Sequence, residues 1–204
     1  MGNLIPNQIE GKKVDLSYSE TFESRYDAIK SFKRAYKRLL NPRVWHELSG
    51  FLSAEFYLSN KDGFDPHRLA KIDDYLKIDI PGPGPSSGQG FDWVKVEEIE
   101  DYSDPNAEEE KVGMKLMPCN DPTNDTKNTA HFFTAVASSS FVIIRDGNVV
   151  ISFYHGRNEV PNIKTTSATD NVRNAIVSSG ALASLSEAQW MRLIKAFLQP
   201  EIGE

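Results

Sequence analysis

The side chains best suited to carry chemistry lie within one segment of five residues: His155, Arg157, Asn158 and Glu159. Held together, a base, a guanidinium, an amide and a carboxylate could bind an anionic or polar ligand. A histidine with a glutamate could also transfer protons. A structural alternative has Gly156 as a bulge or bend, Arg157 paired with Glu159, and the amide bonded to turn backbone. Polar strand ends commonly serve as turns, which favours the structural interpretation.

This cluster ends a β-hairpin that the sequence predicts over residues 131–162. Asp146-Gly147 between two β-rich runs predicts a type I′ turn, because that turn matches the twist of paired strands. Counting outward from it pairs Ser138 with His155. A serine facing a histidine suggests a nucleophile and its base, but the chain has no Gly-x-Ser-x-Gly elbow and no identifiable third member or oxyanion hole. The favoured interpretation is that the strand serines form a patch of small residues against which another element packs closely.

Alternation along the second strand limits how many of these side chains can converge. His155 and Arg157 should share one face, while Asn158 and Glu159 point elsewhere or leave the strand. Trp93, which follows a Gly- and Pro-rich loop over residues 81–90, is either an aromatic platform under that loop or a core plug. No catalytic residue can be assigned. The candidate ligand-binding residues are His155, Arg157, Ser138, Trp93, Asn158 and Glu159.

No metal site and no cofactor is expected from the sequence. The four histidines are scattered, and Cys119 has no second cysteine with which to share a metal. Neither a phosphate-binding P-loop nor a dinucleotide-binding glycine pattern occurs. The lone cysteine, together with the lack of a signal-peptide run or an apolar stretch of ~18 residues, predicts a soluble cytoplasmic protein.

Charge is distributed unevenly along the 204 residues. The formal net charge of −6 makes nucleic acid and anionic membranes unexpected partners for the whole molecule. Residues 25–43 nevertheless carry seven basic residues against one acid, and residues 92–111 carry nine acids against two lysines. The basic stretch could be a phosphate or nucleic-acid surface. A solvated face, or one neutralised by the acidic stretch in the same chain or in a second copy, is the favoured interpretation.

The change of hydrophobic period along the chain predicts a single α+β domain over residues 1–204. An N-terminal arm with a short strand (1–19) precedes helices (20–49), an antiparallel β region (51–160) and C-terminal helices (169–199). We expect a curved antiparallel sheet of about six strands, or a partly closed barrel, packed by the helices at both ends of the sequence. This order of elements resembles that of helix-grip (START-like) proteins, in which a curved antiparallel sheet wraps a long C-terminal helix.

Three functional hypotheses follow. The first is non-catalytic binding of a small polar or amphipathic molecule between the sheet and the C-terminal helix. The second is a protein–protein interaction or assembly module, including self-association. The third is a hydrolase or isomerase that uses His155 and Glu159. An enclosed apolar cavity with a few polar groups would favour the first hypothesis over the second.

Overall fold

A single antiparallel sheet with helices on one side forms the fold. The computed structural model describes residues 3–50, 54–80, 84–125, 128–163, 165, 167–178 and 187–200. Within these ranges the strands are β1 (Lys12–Thr21), β2 (Glu55–Ser59), β3 (Tyr75–Asp79), β4 (Asp92–Tyr102), β5 (Glu109–Pro118), β6 (Ser138–Asp146) and β7 (Val149–Glu159). The α-helices are α1 (Arg25–Leu39), α2 (Trp45–Ser49), α3 (Ala168–Ser178) and α4 (Glu187–Leu198), and short 3-10 helices span Pro42–Val44 and Ser86–Gly88. None of these helices is both long and apolar enough to span a membrane.

The strand order is β1-β7-β6-β5-β4-β3-β2, and every neighbouring pair is antiparallel. This confirms the predicted α+β class, with seven strands in place of about six because β1 joins the sheet beside β7. The alternative of a partly closed barrel is wrong, since β1 and β2 are the two edges and do not pair. Helix α4 packs on the sheet at β1 and β7, as the helix-grip arrangement requires.

One face of the sheet, called the inner face here, is covered by the helices. Phe141 and Tyr154 contribute to it from the central hairpin, and both side chains are almost fully buried. Trp45 of α2 packs on the same face, with its ring centroid 5.0 Å from that of Phe141 and 6.1 Å from that of Phe197 in α4. Alternation along the sequence predicts that Val142 lies on one face of the hairpin and Phe141 and Tyr154 on the other, and the observed pairing confirms this division. Burial shows that the face bearing Phe141 and Tyr154 faces the helices.

The register of the central hairpin differs from the prediction by two residues. Asp146 pairs with Val149, so Gly147 and Asn148 form the turn. Of these two only Gly147 has a positive φ, of 55°, the pattern of a type II′ turn with glycine at its first central position. The predicted type I′ turn at Asp146-Gly147 is therefore wrong.

The shifted register changes which side chains face each other across the hairpin. Ser140 lies opposite His155, and Ser138 lies opposite Arg157. The predicted pairing of Ser138 with His155 is therefore wrong. A shift of two residues keeps every side chain on its predicted face, because side chains alternate with a period of two.

Helix α1 begins later than its pattern predicts. Strand β1 continues to Thr21, which pairs with Val149, so the chain cannot turn into a helix before Ser24. The Ser24 hydroxyl oxygen accepts the Asp27 N–H (3.1 Å) and caps the helix. The sequence pattern also predicts Ser186 as the N-terminal cap of α4 and Gly180 as the end of α3, and both lie outside the described residues.

The arginines of α1 help to hold α4 in place. Arg34 donates to the Leu198 carbonyl (2.9 Å), and Arg38 donates to the carbonyls of Ala196 (2.8 Å) and Gln199 (2.5 Å). Guanidinium groups at the negative end of a helix satisfy carbonyls that have no partner within the helix. Part of the basic stretch is thus accounted for by contacts within the chain.

The opposite, outer face of the sheet is crossed by residues 3–11, which we call the N-terminal strap. Leu4 is buried against Gly113 of β5, where an added Cβ would lie 2.2 Å from the Leu4 side chain. The Leu4 carbonyl accepts the Ser140 hydroxyl (2.5 Å), and the Asn3 carbonyl accepts Lys115 Nζ (2.9 Å). The strap therefore covers β5 and β6 on the side away from the helices.

A buried ion pair joins β5 to β6, next to the β6–β7 turn and the loop between β4 and β5. Arg145 Nε donates to Glu110 Oε2 (2.6 Å), and both side chains are almost wholly shielded from solvent. The remaining Arg145 nitrogens donate to the carbonyls of Ala107 (2.6 Å), Glu108 (3.0 Å) and Gly147 (3.0 Å). The guanidinium is thus compensated by one carboxylate and three carbonyls.

We predict that Arg145→Met lowers the free energy of unfolding by about 3–5 kcal/mol, because Glu110 would be left as a buried charge without its partner. Urea denaturation measures this directly. Arg25→Met is the matched control, since Arg25 faces the exposed Glu108 at 3.6 Å, and its cost should stay below about 1 kcal/mol. Equal costs for the two variants would contradict the assignment.

Candidate functional site

A cavity of about 300 Å³ lies between the inner face and the helices α2, α3 and α4. Its walls are mainly aromatic and aliphatic side chains contributed by strands and helices from along the whole chain. These apolar lining residues are Val14, Trp45, Phe56, Ile78, Val94, Leu116, Phe132, Phe133, Phe141, Val177, Ala188 and Trp190. A pocket of this size and character is typical of small-molecule sites.

Three polar groups meet at one place on the cavity wall. Tyr154 Oη lies 3.2 Å from Ser139 Oγ and 3.4 Å from Glu159 Oε1, and all three residues line the cavity. Ser139 lies on β6, while Tyr154 and Glu159 lie on β7. We call Ser139, Tyr154 and Glu159 the polar triad. It gives a largely apolar cavity a hydrogen-bonding end.

A β-bulge explains how Glu159 reaches the inner face. Tyr154 and Gly156 face inward, so regular alternation would send residue 159 outward. The β1–β7 register shifts, however, between the Val14–Gly156 and Lys12–Glu159 pairs. Asn158 takes a left-handed conformation there, with φ of 54°. The extra residue restores Glu159 to the side of Tyr154, as bulges do.

Gly156 leaves the space that the Glu159 carboxyl group occupies. A Cβ built on Gly156 would lie 2.2 Å from Glu159 Oε1 and 3.3 Å from Tyr154 Oη. Any larger residue at 156 would therefore push the carboxyl group away from the tyrosine. Gly156 is a regular strand residue that pairs with Val14 and Ser139. It is therefore not the bulge that the structural interpretation predicted.

Burial controls the ionisation of the polar triad. Loss of hydration raises the pKa of Glu159 from its ordinary 4.5 to about 7, although Lys12 and the Tyr154 hydroxyl favour the ionised form and Glu187 opposes it. Burial likewise holds the pKa of Tyr154 well above 10. Near neutral pH the carboxyl group therefore exists in both forms, and it can donate or accept a hydrogen bond.

Lys12 and Glu187 form the exposed rim of the cavity. Lys12 Nζ lies 2.7 Å from Glu187 Oε1, and about half of each side chain is exposed to solvent (54% and 52%). The pair connects the edge strand β1 to the first turn of α4. An exposed ion pair of this kind contributes little to stability, so it can open without disturbing the fold.

His131 forms another part of the wall and is held neutral. Burial, assisted by the nearby Arg173 charge, lowers the pKa of His131 to about 3. Its Nδ1 accepts the Phe133 N–H (3.0 Å), so the ring proton is on Nε2. The ring stacks on Phe132 with centroids 4.0 Å apart. At neutral pH His131 can offer a ligand a hydrogen-bond donor but not a charge.

A buried ion pair fixes this wall to α3. Arg173 donates to both carboxylate oxygens of Asp92, and Asp92 Oδ1 also accepts the Phe132 N–H (3.0 Å). Burial raises the pKa of Asp92 to about 6 while the Arg173 charge acts in the opposite direction. Asn174 donates to the Asn162 carbonyl (2.6 Å), which adds a second tie. These bonds hold residues 131–133 at the cavity.

The sequence-predicted site residues separate onto the two faces of the sheet. His155 Nδ1 lies 2.6 Å from Asp15 Oδ1, and Arg157 donates to the same oxygen (2.5 Å) and to the Val14 carbonyl (2.9 Å). Burial tends to raise the pKa of Asp15, but its bonds to both residues and to Lys13 hold it well below the ordinary range.

Two pairings predicted from the sequence are therefore wrong. Arg157 pairs with Asp15 and not with Glu159. His155 and Glu159 lie on opposite faces of the sheet, so they cannot work together as acid and base. Of the six predicted residues, Glu159 is the one that the structure places on the cavity wall.

The other three predicted residues lie away from the cavity lining. Ser138 is buried, and its hydroxyl has no hydrogen-bond partner among the described residues. Trp93 is 4% exposed and packs under the 3-10 helix at Gly88, and its indole N–H likewise has no partner within the described ranges. Asn158 bonds to the N-terminal strap through backbone and side chain.

Sequence reasoning missed Ser139, Tyr154 and Lys12 as cavity residues. Tyr154 carried a usable signal, since its hydroxyl lies on the same strand face as the apolar residues Phe141, Ile143 and Val150. A buried tyrosine hydroxyl needs a partner, and that requirement pointed to neighbouring polar residues on the inner face.

Comparisons with known proteins give likeness in structure alone. No protein-family model matches the sequence. A search of curated proteins finds no match either. Ginseng major latex-like protein 151 from Panax ginseng aligns with 93% of this chain and 100% of its own, at 11% identity and a TM-score of 0.43. Protein Ms6760 from Mycobacterium smegmatis aligns with 92% of this chain and 91% of its own, at 14% identity and a TM-score of 0.42. Truncated norcoclaurine synthase from Thalictrum flavum aligns with 96% of this chain and 100% of its own, at 14% identity and a TM-score of 0.36.

We predict that Glu159 makes the protein less stable as pH rises from about 4.5 to 7. The folded state keeps the proton over this range because the carboxyl pKa is about 7 in the fold and 4.5 ordinarily, so deprotonation favours unfolding. Urea denaturation at several pH values should show Glu159→Gln gaining stability relative to the native chain as pH rises. Taking the difference removes the contributions of Asp92 and other groups. A difference that does not vary with pH would contradict the assignment.

Proposed function

We propose that the protein binds, without chemical conversion, a small amphipathic molecule with an apolar, ring-sized body and one hydrogen-bonding end. The observation that carries the proposal is the meeting of the polar triad with a largely aromatic cavity between the sheet and α4. The apolar body would lie among the rings, and its polar end would contact Tyr154 and Glu159.

The aromatic wall supplies the binding energy in this proposal. Trp45, Phe56, Phe141 and Trp190 surround the space, with neighbouring ring centroids 5.0–6.4 Å apart. Burying about 200 Å² of apolar ligand surface would contribute roughly 5 kcal/mol at about 25 cal/mol per Å². Loss of ligand freedom offsets part of that gain. Since about 5 kcal/mol corresponds to a dissociation constant of roughly 0.2 mM, weak affinity, in the high-micromolar to millimolar range, is the expected result.

The polar triad supplies orientation. The Tyr154 and Ser139 hydroxyls can each donate or accept, and Glu159 can do both because its pKa is about 7. A ligand hydroxyl can therefore be satisfied in either direction. An apolar ligand of the same shape would make no hydrogen bond to the triad. Its binding free energy would be weaker than that of the hydroxyl-bearing ligand by about 1 kcal/mol for each hydrogen bond that is missing.

Chemical conversion is not part of the proposal. The acid–base couple suggested by the sequence, His155 with Glu159, is divided between the two faces of the sheet. His131, which does line the cavity, is neutral and uses Nδ1 to accept a backbone N–H. Binding alone accounts for the groups that the cavity brings together.

We predict that 2-naphthol binds in this cavity and that Tyr154→Phe weakens its binding by a few-fold to about tenfold, the worth of one hydrogen bond. Isothermal titration calorimetry measures both affinities. Naphthalene, which has the same body without the hydroxyl, should bind the native chain and Tyr154→Phe equally well. Equal loss for both compounds would show that the variant damages the cavity and that the triad does not recognise the hydroxyl.

A substitution that fills the cavity tests whether the ligand binds there. Val94 lines it and is 5% exposed, so we expect Val94→Phe to abolish measurable binding of 2-naphthol. Val136→Phe adds the same volume at a position that is 48% exposed, and it should bind as the native chain does. Unchanged binding by a folded Val94→Phe would place the ligand elsewhere and overturn the proposal.

A further inference from the structure

We infer that Asn158 is a positioning residue: through its bonds to the N-terminal strap on the outer face, it holds the bulge that delivers Glu159 into the cavity on the inner face. Contacts made outside the cavity would then set the affinity inside it. The consequence for ligand affinity rests on the proposed binding function, whereas the positioning of Glu159 is independent of it.

Three of the four hydrogen-bonding positions of the Asn158 side-chain amide are bonded to the strap. Its Oδ1 accepts the N–H of Ile9 (2.7 Å) and of Glu10 (3.2 Å), and its Nδ2 donates to the Asn7 carbonyl (3.1 Å). Its own backbone N–H donates to Gln8 Oε1 (3.0 Å). The side chain and the backbone N–H thus contact four consecutive strap residues.

These bonds act on a backbone conformation that needs support. Asn158 has φ of 54°, which few residues other than glycine adopt readily, although asparagine tolerates it better than most. The strap also runs directly against the next residue. At Gly11, which has φ of 68°, an added Cβ would lie 2.7 Å from the Glu159 carbonyl oxygen. The strap therefore packs against both Asn158 and Glu159.

The alternation of side chains makes the bulge decisive for the cavity. With it, Glu159 lies beside Tyr154 and opposite Lys12. Without it, a regular strand would direct Asn158 inward and Glu159 towards solvent on the outer face. The carboxyl group would then regain its hydration, and the polar triad would lose its acid. The conformation of Asn158 thus decides whether the Glu159 carboxyl group lies in the cavity.

Asn158→Gly is the sharpest test because glycine accepts a positive φ and the chain should still fold, while every side-chain bond to the strap is lost. Glutamate carboxyl groups labelled with carbon-13 and titrated by NMR report the pKa of Glu159 without any ligand. We expect that pKa to fall from about 7 towards the ordinary 4.5, and the affinity for 2-naphthol to fall by up to about tenfold. Binding of naphthalene should not change.

Two further variants separate positioning from general damage. Asn158→Asp keeps the oxygen that accepts from Ile9 and Glu10, and aspartate tolerates a positive φ, so the pKa of Glu159 should stay near 7 or rise with the added charge. Ile9→Ala removes an 85% exposed side chain but keeps the bonded N–H, and it should behave as the native chain. Loss of the raised pKa in Ile9→Ala would show that any change in the strap has this effect.

A pKa for Glu159 that remains near 7 in Asn158→Gly would overturn the inference, whatever the ligand does. If the pKa falls as expected and 2-naphthol fails to bind even the native chain, the positioning role stands and the proposed function fails. The carboxyl titration and the calorimetric titration therefore test the two claims separately.

Discussion

The break in side-chain alternation at Asn158 determines which polar groups reach the interior of this protein. Before the break, β7 sends Tyr154 inward and His155 outward, as any strand does. After it, Glu159 points inward again and loses most of its contact with water. Desolvation then raises the pKa of its carboxyl group to about 7. One irregular backbone position thus links strand geometry to the chemistry of the cavity.

The helices cover the inner face of the sheet, and the N-terminal strap lies on the outer face. The polar side chains on the two faces therefore have different surroundings. The helices bury the inner face, but the side chains of α2 and α4 leave a space of about 300 Å³ against it. On the outer face, the N-terminal strap covers β5 and β6, and it packs so tightly that Gly113 leaves no room for a Cβ beside Leu4. On the same face, His155 and Arg157 are held in structural bonds to Asp15. Groups that face the cavity keep bonding capacity for a ligand.

Periodicity in the sequence was sufficient to predict the fold class and the two faces of the central hairpin. The alternation of residues 93–99 also changes phase at Glu97-Glu98, which indicates a bulge or the end of the strand, and the shifted β4–β5 register confirms the bulge. Periodicity could not predict which hairpin face meets the helices, because both are apolar near the turn. The hairpin register was wrong because Gly147 occupies the first turn position rather than the second. The inward direction of Glu159 was not predictable locally, since the bulge is held by strap residues about 150 positions away in sequence. Long-range backbone contacts leave no periodic signal.

The most direct test of this account is the set of NMR resonances that shift when 2-naphthol is added to the native chain. We expect saturable shifts at Ser139, Tyr154, Glu159 and Trp190, which line the cavity on the inner face. Shifts confined to His155, Arg157 and the strap, on the outer face, would contradict it, and so would the absence of any saturable change.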